Sequence, residues 1–125
     1  PGHIHMLLRS TRGAIFRSDS IDYGATWSVA RATSLPNNNS GIDLVSMQDG
    51  TLILALNPVN GNWGKRYPLS LIASQDNGES WLPLLDLESD HGEYSYPAII
   101  SAGGVVHITY TWNRKNIVYC RLQTV

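Results

Sequence analysis

The word Ser-x-Asp-x-Gly-x-x-Trp is written twice in this chain, as SIDYGATW at Ser20–Trp27 and as SQDNGESW at Ser74–Trp81. Its residue types suit a turn. Asp22 and Asp76 can accept hydrogen bonds from nearby backbone N–H groups. Gly24 and Gly78 allow positive φ. Trp27 and Trp81 supply a large apolar plate at the start of the next strand, and Ser20 and Ser74 can tie the other end of the turn. The two copies lie 54 residues apart. A turn repeated at such a distance implies a repeated supersecondary unit around it, and that constrains the fold more than any single residue does.

The flanking sequence repeats as well. Helix signals are nearly absent, while short runs rich in Ile, Val, Leu, Tyr and Thr, broken by Gly, Asn, Asp and Pro, give ten candidate strands from HIHMLLRS to IVYCRL. SMQDGTLILALN (Ser46–Asn57) lines up with SAGGVVHITYT (Ser101–Thr111), and PGHIHMLLR (Pro1–Arg9) fits the same frame. The chain then reads as strands two to four of one unit (1–36), all four strands of a second (37–90), and strands one to three of a third (91–125). The word falls between the third and fourth strands each time. Antiparallel four-stranded units repeated at roughly 45–50 residues are the signature of propeller blades. The predicted fold is therefore all-β: a single partial β-propeller domain of about 2.5 four-stranded antiparallel blades. Bare strand edges template pairing with another chain. Two incomplete units therefore imply either a missing N-terminal half or a homo-oligomer, with a dimer closing the ring.

Composition narrows the function classes. With 42% hydrophobic and 15% charged residues the chain reads as globular. Net charge is −1 and no basic stripe exists, which argues against nucleic acid. No apolar run approaches membrane-spanning length, and the opening PGHIHMLL lacks the layout of a signal peptide. The single Cys120, in the apolar run IVYCRL, reads as a small buried thiol. His3, His5, His91 and His107 show no metal-ligand spacing, so neither metal nor cofactor is expected.

In an up-and-down meander, alternate connections land on opposite ends of the sheet. The Asp-containing words share one end with Pro1–Gly2, Asp49–Gly50 and Gly103–Gly104. The longer loops collect at the other end and carry Arg9, Asp43, Arg66, Glu93, Tyr94 and Arg114. Function concentrates on loops set on a rigid scaffold, so this second end is where a ligand is expected.

These segments resemble a known family. The repeated word resembles the Asp-box, or bacterial neuraminidase repeat, which is a structural fold-back in the proteins that carry it. LLRSTRGAIFRSDSIDYGATW, NPVNGNWGKRYPLSLIASQDNGESW and GEYSYPAII are similar to the sialidase segments that bear two arginines and a tyrosine. NSGID (Asn39–Asp43), SYPA (Ser95–Ala98) and TYTW (Thr109–Trp112) are similar to a branch of predicted exo-sialidase-like proteins. The resemblance implies the C-terminal half of a six-bladed sialidase-like propeller and an acidic sugar, such as sialic acid, as ligand. It implies that Arg9 and Arg66 are two members of a triad gripping the sugar carboxylate, a contact that suits a planar guanidinium. It implies Tyr94 as the nucleophile at the anomeric carbon. The family's third arginine, its general acid and the carboxylate that polarises the tyrosine belong to the N-terminal half, so the chain alone is expected to be catalytically incomplete.

Each candidate also has a plainer use. Arg9 and Arg66 could be solvated loop arginines, and Arg114 surface charge instead of a substrate contact. Asp43 could bind ligand hydroxyls or cap its loop. Tyr94 competes with Tyr96, which strict alternation puts on the same face of the strand, and Tyr94 could be a core aromatic. Trp63 and Trp112 could stack on a sugar, with packing between blades the plainer reading. The competing functions are a glycoside hydrolase part and a non-catalytic carbohydrate-binding or self-assembling half-propeller.

Overall fold

The structure, a computed structural model, describes residues 1–123. Ten strands and no helix are present among them, in three antiparallel sheets. The first holds β1 (Ile4–Leu8), β2 (Ala14–Ser20) and β3 (Arg31–Pro36). The second holds β4 (Asp43–Ser46), β5 (Leu52–Leu56), β6 (Leu69–Ser74) and β7 (Leu82–Glu88). The third holds β8 (Tyr94–Ala102), β9 (Val105–Trp112) and β10 (Asn116–Gln123). Within each sheet, strands neighbour one another in chain order, so every connection is a hairpin.

The sequence of β5, LILAL, explains how the sheets stack. All five residues are buried. Successive side chains in a strand point to opposite faces. Leu54 and Leu56 join Ile15 in one apolar cluster, against the first sheet. Ile53 and Ala55 join Tyr94, Ile99, Val106, Ile108 and Tyr110 in another, against the third. The second sheet is thus a middle layer covered on both faces, and its central strand is apolar without alternation for that reason. Alternation returns in the outer sheet. In β10, Val118, Cys120 and Leu122 pack on the cluster while Ile117 and Tyr119 face out at 70% and 57% exposure. Ile15 of β2 is wholly buried in the first seam.

The two Asp-boxes form the same network. In the first, Ser20 Oγ donates to Asp22 Oδ1 at 2.8 Å and accepts from the Gly24 N–H at 2.8 Å. Asp22 Oδ1 also accepts from the Thr26 N–H at 2.8 Å, and Trp27 Nε1 donates to the Gly24 carbonyl at 3.0 Å. In the second, Ser74, Asp76, Gly78, Ser80 and Trp81 repeat those bonds at 2.8, 2.8, 2.8 and 3.2 Å. The hydrogen bonds from Thr26 and Ser80, hydroxyl and N–H together, hold the Asp22 and Asp76 carboxyls at about 2, below the usual range. With each carboxylate engaged by its own turn, neither aspartate is free for proton transfer.

A buried arginine fastens the second box to the first sheet. Arg17, only 2% exposed, directs its fork at Asp19, with Nε–Oδ1 and NH2–Oδ2 both at 2.9 Å. Its remaining NH1 donates to the Asn77 carbonyl, inside the second box, at 2.9 Å. His3 Nε2 at 2.7 Å and Arg31 NH1 at 3.0 Å complete the shell around Asp19. The Arg17 bond, followed by those from His3 and Arg31, drives the Asp19 pKa down against the opposing effect of burial. His5, whose Nε2 is buried without a partner, has its pKa lowered by desolvation and by the Arg17 charge.

Candidate functional site

At the end opposite the boxes, asparagines set the loops. Asn37 Oδ1 accepts from the N–H groups of Ser10 and Asn39, both at 3.0 Å. Asn38 Nδ2 reaches the Lys65 carbonyl at 2.7 Å. Asn57, fully buried, donates to the carbonyls of Pro68 at 2.9 Å and Tyr94 at 3.1 Å, and accepts from Ser40 Oγ at 2.9 Å. Buried amides with such partners satisfy loop backbone that no sheet can. The Asn-rich run Asn37–Ser40 therefore serves mainly as scaffold. It carries Arg9 on the β1–β2 loop, Arg66 on the β5–β6 loop and Glu93 before β8 to one place.

That place is a cleft of about 490 Å³. Arg9, Arg66 and Arg114 all line it, with Trp63, Glu93 and Tyr96. Asn38, Asn39, Asn62, Ser95 and Thr111 complete the wall. Arg114 is presented by the β9–β10 hairpin, whose central residues Asn113 and Arg114 both have positive φ (50° and 55°) as in a type I′ turn. Its Nε donates to Glu93 Oε1 at 2.9 Å, and Arg66 NH1 lies 3.9 Å from the same oxygen. The Arg66 guanidinium also sits over the Tyr96 ring, 5.5 Å from the centroid. Glu93 is itself fixed, because its N–H donates to Asn113 Oδ1 at 2.8 Å and its carbonyl accepts from the Asn113 N–H at 2.7 Å. Arg9 is exposed in the cleft and has no ion-pair partner among the described residues.

Two candidates lie elsewhere. Tyr94 is 3% exposed and packs in the apolar cluster between the second and third sheets, so it does not line the cleft. Burial, then the charges of Glu88 and Asp90, push its phenol pKa up, away from ionisation. Asp43 spends its carboxylate on backbone: Oδ2 accepts from the Ile99 N–H at 2.8 Å and Oδ1 from the Leu44 N–H at 3.0 Å. It ties β4 to β8 and is absent from the cleft wall.

Tyr96 stands in the cleft where the family resemblance implied Tyr94, although strict alternation would put both on one face. Ser95 pairs with Thr111 and Ala98 with Thr109, so Tyr96 and Pro97 together oppose Tyr110. This bulge, with Tyr96 at φ 53°, breaks the period of two and turns the Tyr96 ring outward at 60% exposure. Trp63 also departs from the packing role. It is 85% exposed, at φ 64° on the tip of its loop, whereas Trp112 packs against the core. Glu93 has no role on sequence grounds beyond sitting in the loop, and its signal is its place directly before Tyr94 in GEYSYPAII. Arg17 and Asp19 have no role on sequence grounds. An Arg-x-Asp pair on one face of an apolar strand, just before an Asp-box, was their signal.

The three-sheet, all-β architecture with two Asp-boxes that share one hydrogen-bond pattern defines a class: a β-repeat protein consistent with a β-propeller. The family model for the BNR repeat-like domain matches residues 1–108, and the chain belongs to that family. A comparison with curated proteins finds no match.

Proposed function

We propose that the cleft is an acidic-sugar site and that the chain is the C-terminal half of a six-bladed, sialidase-like glycoside hydrolase propeller. The observation that carries this reading is the convergence of Arg9, Arg66 and Arg114 on one cleft beside an exposed tyrosine. Guanidinium groups from three separate loops match the demands of a ligand carboxylate, which takes planar, charge-assisted bonds. Arg66 and Arg114 are pre-oriented by Glu93, and Arg9 has no ion-pair partner among the described residues. The phenol placed for attack at an anomeric carbon is Tyr96. A neutral tyrosine in that role avoids repulsion from the substrate's own carboxylate, and tyrosine nucleophiles are a recognised departure from the two-carboxylate scheme.

Hydrolysis also requires a general acid on the leaving oxygen. Glu93 is the one carboxylate lining the cleft among the described residues, and it is engaged by Arg114 at 2.9 Å with Arg66 at 3.9 Å. The 125-residue chain therefore binds acidic sugars without cleaving them, and the acid belongs to a further segment that completes the ring. A fluorogenic sialoside tests this. The chain alone should show no turnover above background while the free sugar competes for its cleft. Turnover that copurifies with the chain and disappears in Tyr96→Phe would show that no further segment is needed.

A further inference from the structure

A second cleft of about 310 Å³ adjoins the first. The two share Trp63, Arg66, Glu93 and Arg114, so they form one continuous surface that turns around the Arg66–Glu93 contact. The second adds Lys65, Tyr67 and His91. Tyr67 and His91 rings lie 4.8 Å apart and form an aromatic floor. Lys65 Nζ stands 5.5 Å above the Tyr67 centroid and has no ion-pair partner among the described residues. Trp63 stands at the junction at 85% exposure. An apolar plate held in water at the mouth of two clefts is matched by the face of a sugar ring. Three cations, Lys65, Arg66 and Arg114, face the single carboxylate of Glu93, so the second cleft carries an excess of positive charge.

We propose that the second cleft is a subsite for the next unit of the ligand, and that this unit is itself acidic. The chain is then built for an anionic oligosaccharide with successive carboxylated units, not for a terminal acidic sugar on a neutral glycan. The first unit places its carboxylate among Arg9, Arg66 and Arg114. The second stacks beside Trp63 and presents its carboxylate to Lys65. This inference rests on the acidic-sugar reading of the first cleft.

Calorimetric titration of the 125-residue chain with three probes tests it: N-acetylneuraminic acid, α2,8-linked disialic acid, and sialyllactose as the neutral extension. Disialic acid should bind about tenfold more tightly than the monosaccharide, and sialyllactose should gain clearly less. Lys65→Gln should bring the ratio of disialic acid to monosaccharide affinity close to one. Because that readout is a ratio, a general loss of folded protein does not mimic it. Among the described residues, the hydrogen bond of Lys65 to the scaffold runs through its backbone carbonyl, which the substitution keeps. A monosaccharide that binds with no gain for disialic acid, an equal gain for sialyllactose, or a gain that survives Lys65→Gln would each overturn the acidic subsite and leave the first reading standing. No binding of any probe would overturn both.

Discussion

The Arg66 guanidinium lies over the ring of Tyr96, 5.5 Å from its centroid, while Tyr94, two residues earlier, is sealed in the core. The contact is a cation–π pair on an exposed ring, with a strength of about 0.5–1 kcal/mol. Tyr96→Ala should therefore weaken acidic-sugar binding by a factor of a few and leave the thermal midpoint nearly unchanged. Tyr94→Ala should do the opposite, destabilising by about 3 kcal/mol or more as buried aromatics do. Melting curves and titrations on the two variants separate the roles, and a stable Tyr94→Ala protein that lost ligand would return the binding role to Tyr94.

That exchange of tyrosines shows what the sequence holds and what it withholds. The ten strands were legible because VVHITYTW carries a period of two, LILAL is a short unbroken apolar run, and both are bounded by Gly, Asn or Asp. The boxes were legible because a turn repeated with its Ser, Asp, Gly and Trp leaves little freedom. Arg9, Arg66 and Arg114 were placed at one end by strand parity alone. The bulge at Tyr96 was not legible, because the residues that open it, Tyr96 and Pro97, also fit a regular strand. Asp43 was ambiguous because a carboxylate at a strand start serves a ligand or a neighbouring N–H equally well, and only the approach of β8 decides between them. Arg17 reaches Asn77, sixty residues away, which no local pattern reveals.

The Arg17–Asp19 pair makes a prediction about the seam between the first two sheets. Removing one partner of a buried ion pair leaves the other charged and uncompensated, at a cost of roughly 3–5 kcal/mol. Asp19→Ala should approach the lower end of that range, because His3 and Arg31 keep one side of the carboxylate near solvent. Urea unfolding followed by tryptophan fluorescence reads the loss. An Asp19→Ala protein as stable as the wild type would mean the pair carries no load between the sheets.

Acid should loosen the boxes. Asp22 and Asp76 titrate at about 2 in the folded chain, against about 3.9 when unfolded. Folded values below unfolded ones mean that the stabilisation is fully present above about pH 4–5 and fades as pH falls toward 2. Asp19, shifted the same way, adds to that loss. His5 acts in the same direction at higher pH. Its lowered pKa favours the neutral ring in the fold, so stability begins to fall once pH drops below about 6.5. Thermal midpoints should decline from pH 7 to pH 2.5, and Asp22→Asn with Asp76→Asn should flatten the acid part of the curve. An unchanged slope in that double variant would remove the boxes from the acid response.

Within the described residues, β1 pairs only with β2 and β10 only with β9, so each keeps one open edge. On β10 the outward Ile117 and Tyr119 add apolar surface to that edge. Open edges recruit strands, and a two-fold assembly is the commonest closed form. Light scattering of the 125-residue chain at micromolar concentration should report at least twice the monomer mass, and Ile117→Lys should lower it. A compact monomer under those conditions would contradict self-association.

The central claim is that three arginines make this cleft a carboxylate site, and Arg9 tests it most directly because it has no ion-pair partner among the described residues. The measurement is titration of the chain with N-acetylneuraminic acid, wild type against Arg9→Ala, with thermal midpoints recorded on both. We expect saturable binding by the wild type and a loss of about tenfold or more in Arg9→Ala, in line with removal of a charge-assisted contact of about 1.5–3 kcal/mol, at an unchanged midpoint. Equal affinities for the two proteins, or no binding by a folded wild type, would contradict the claim.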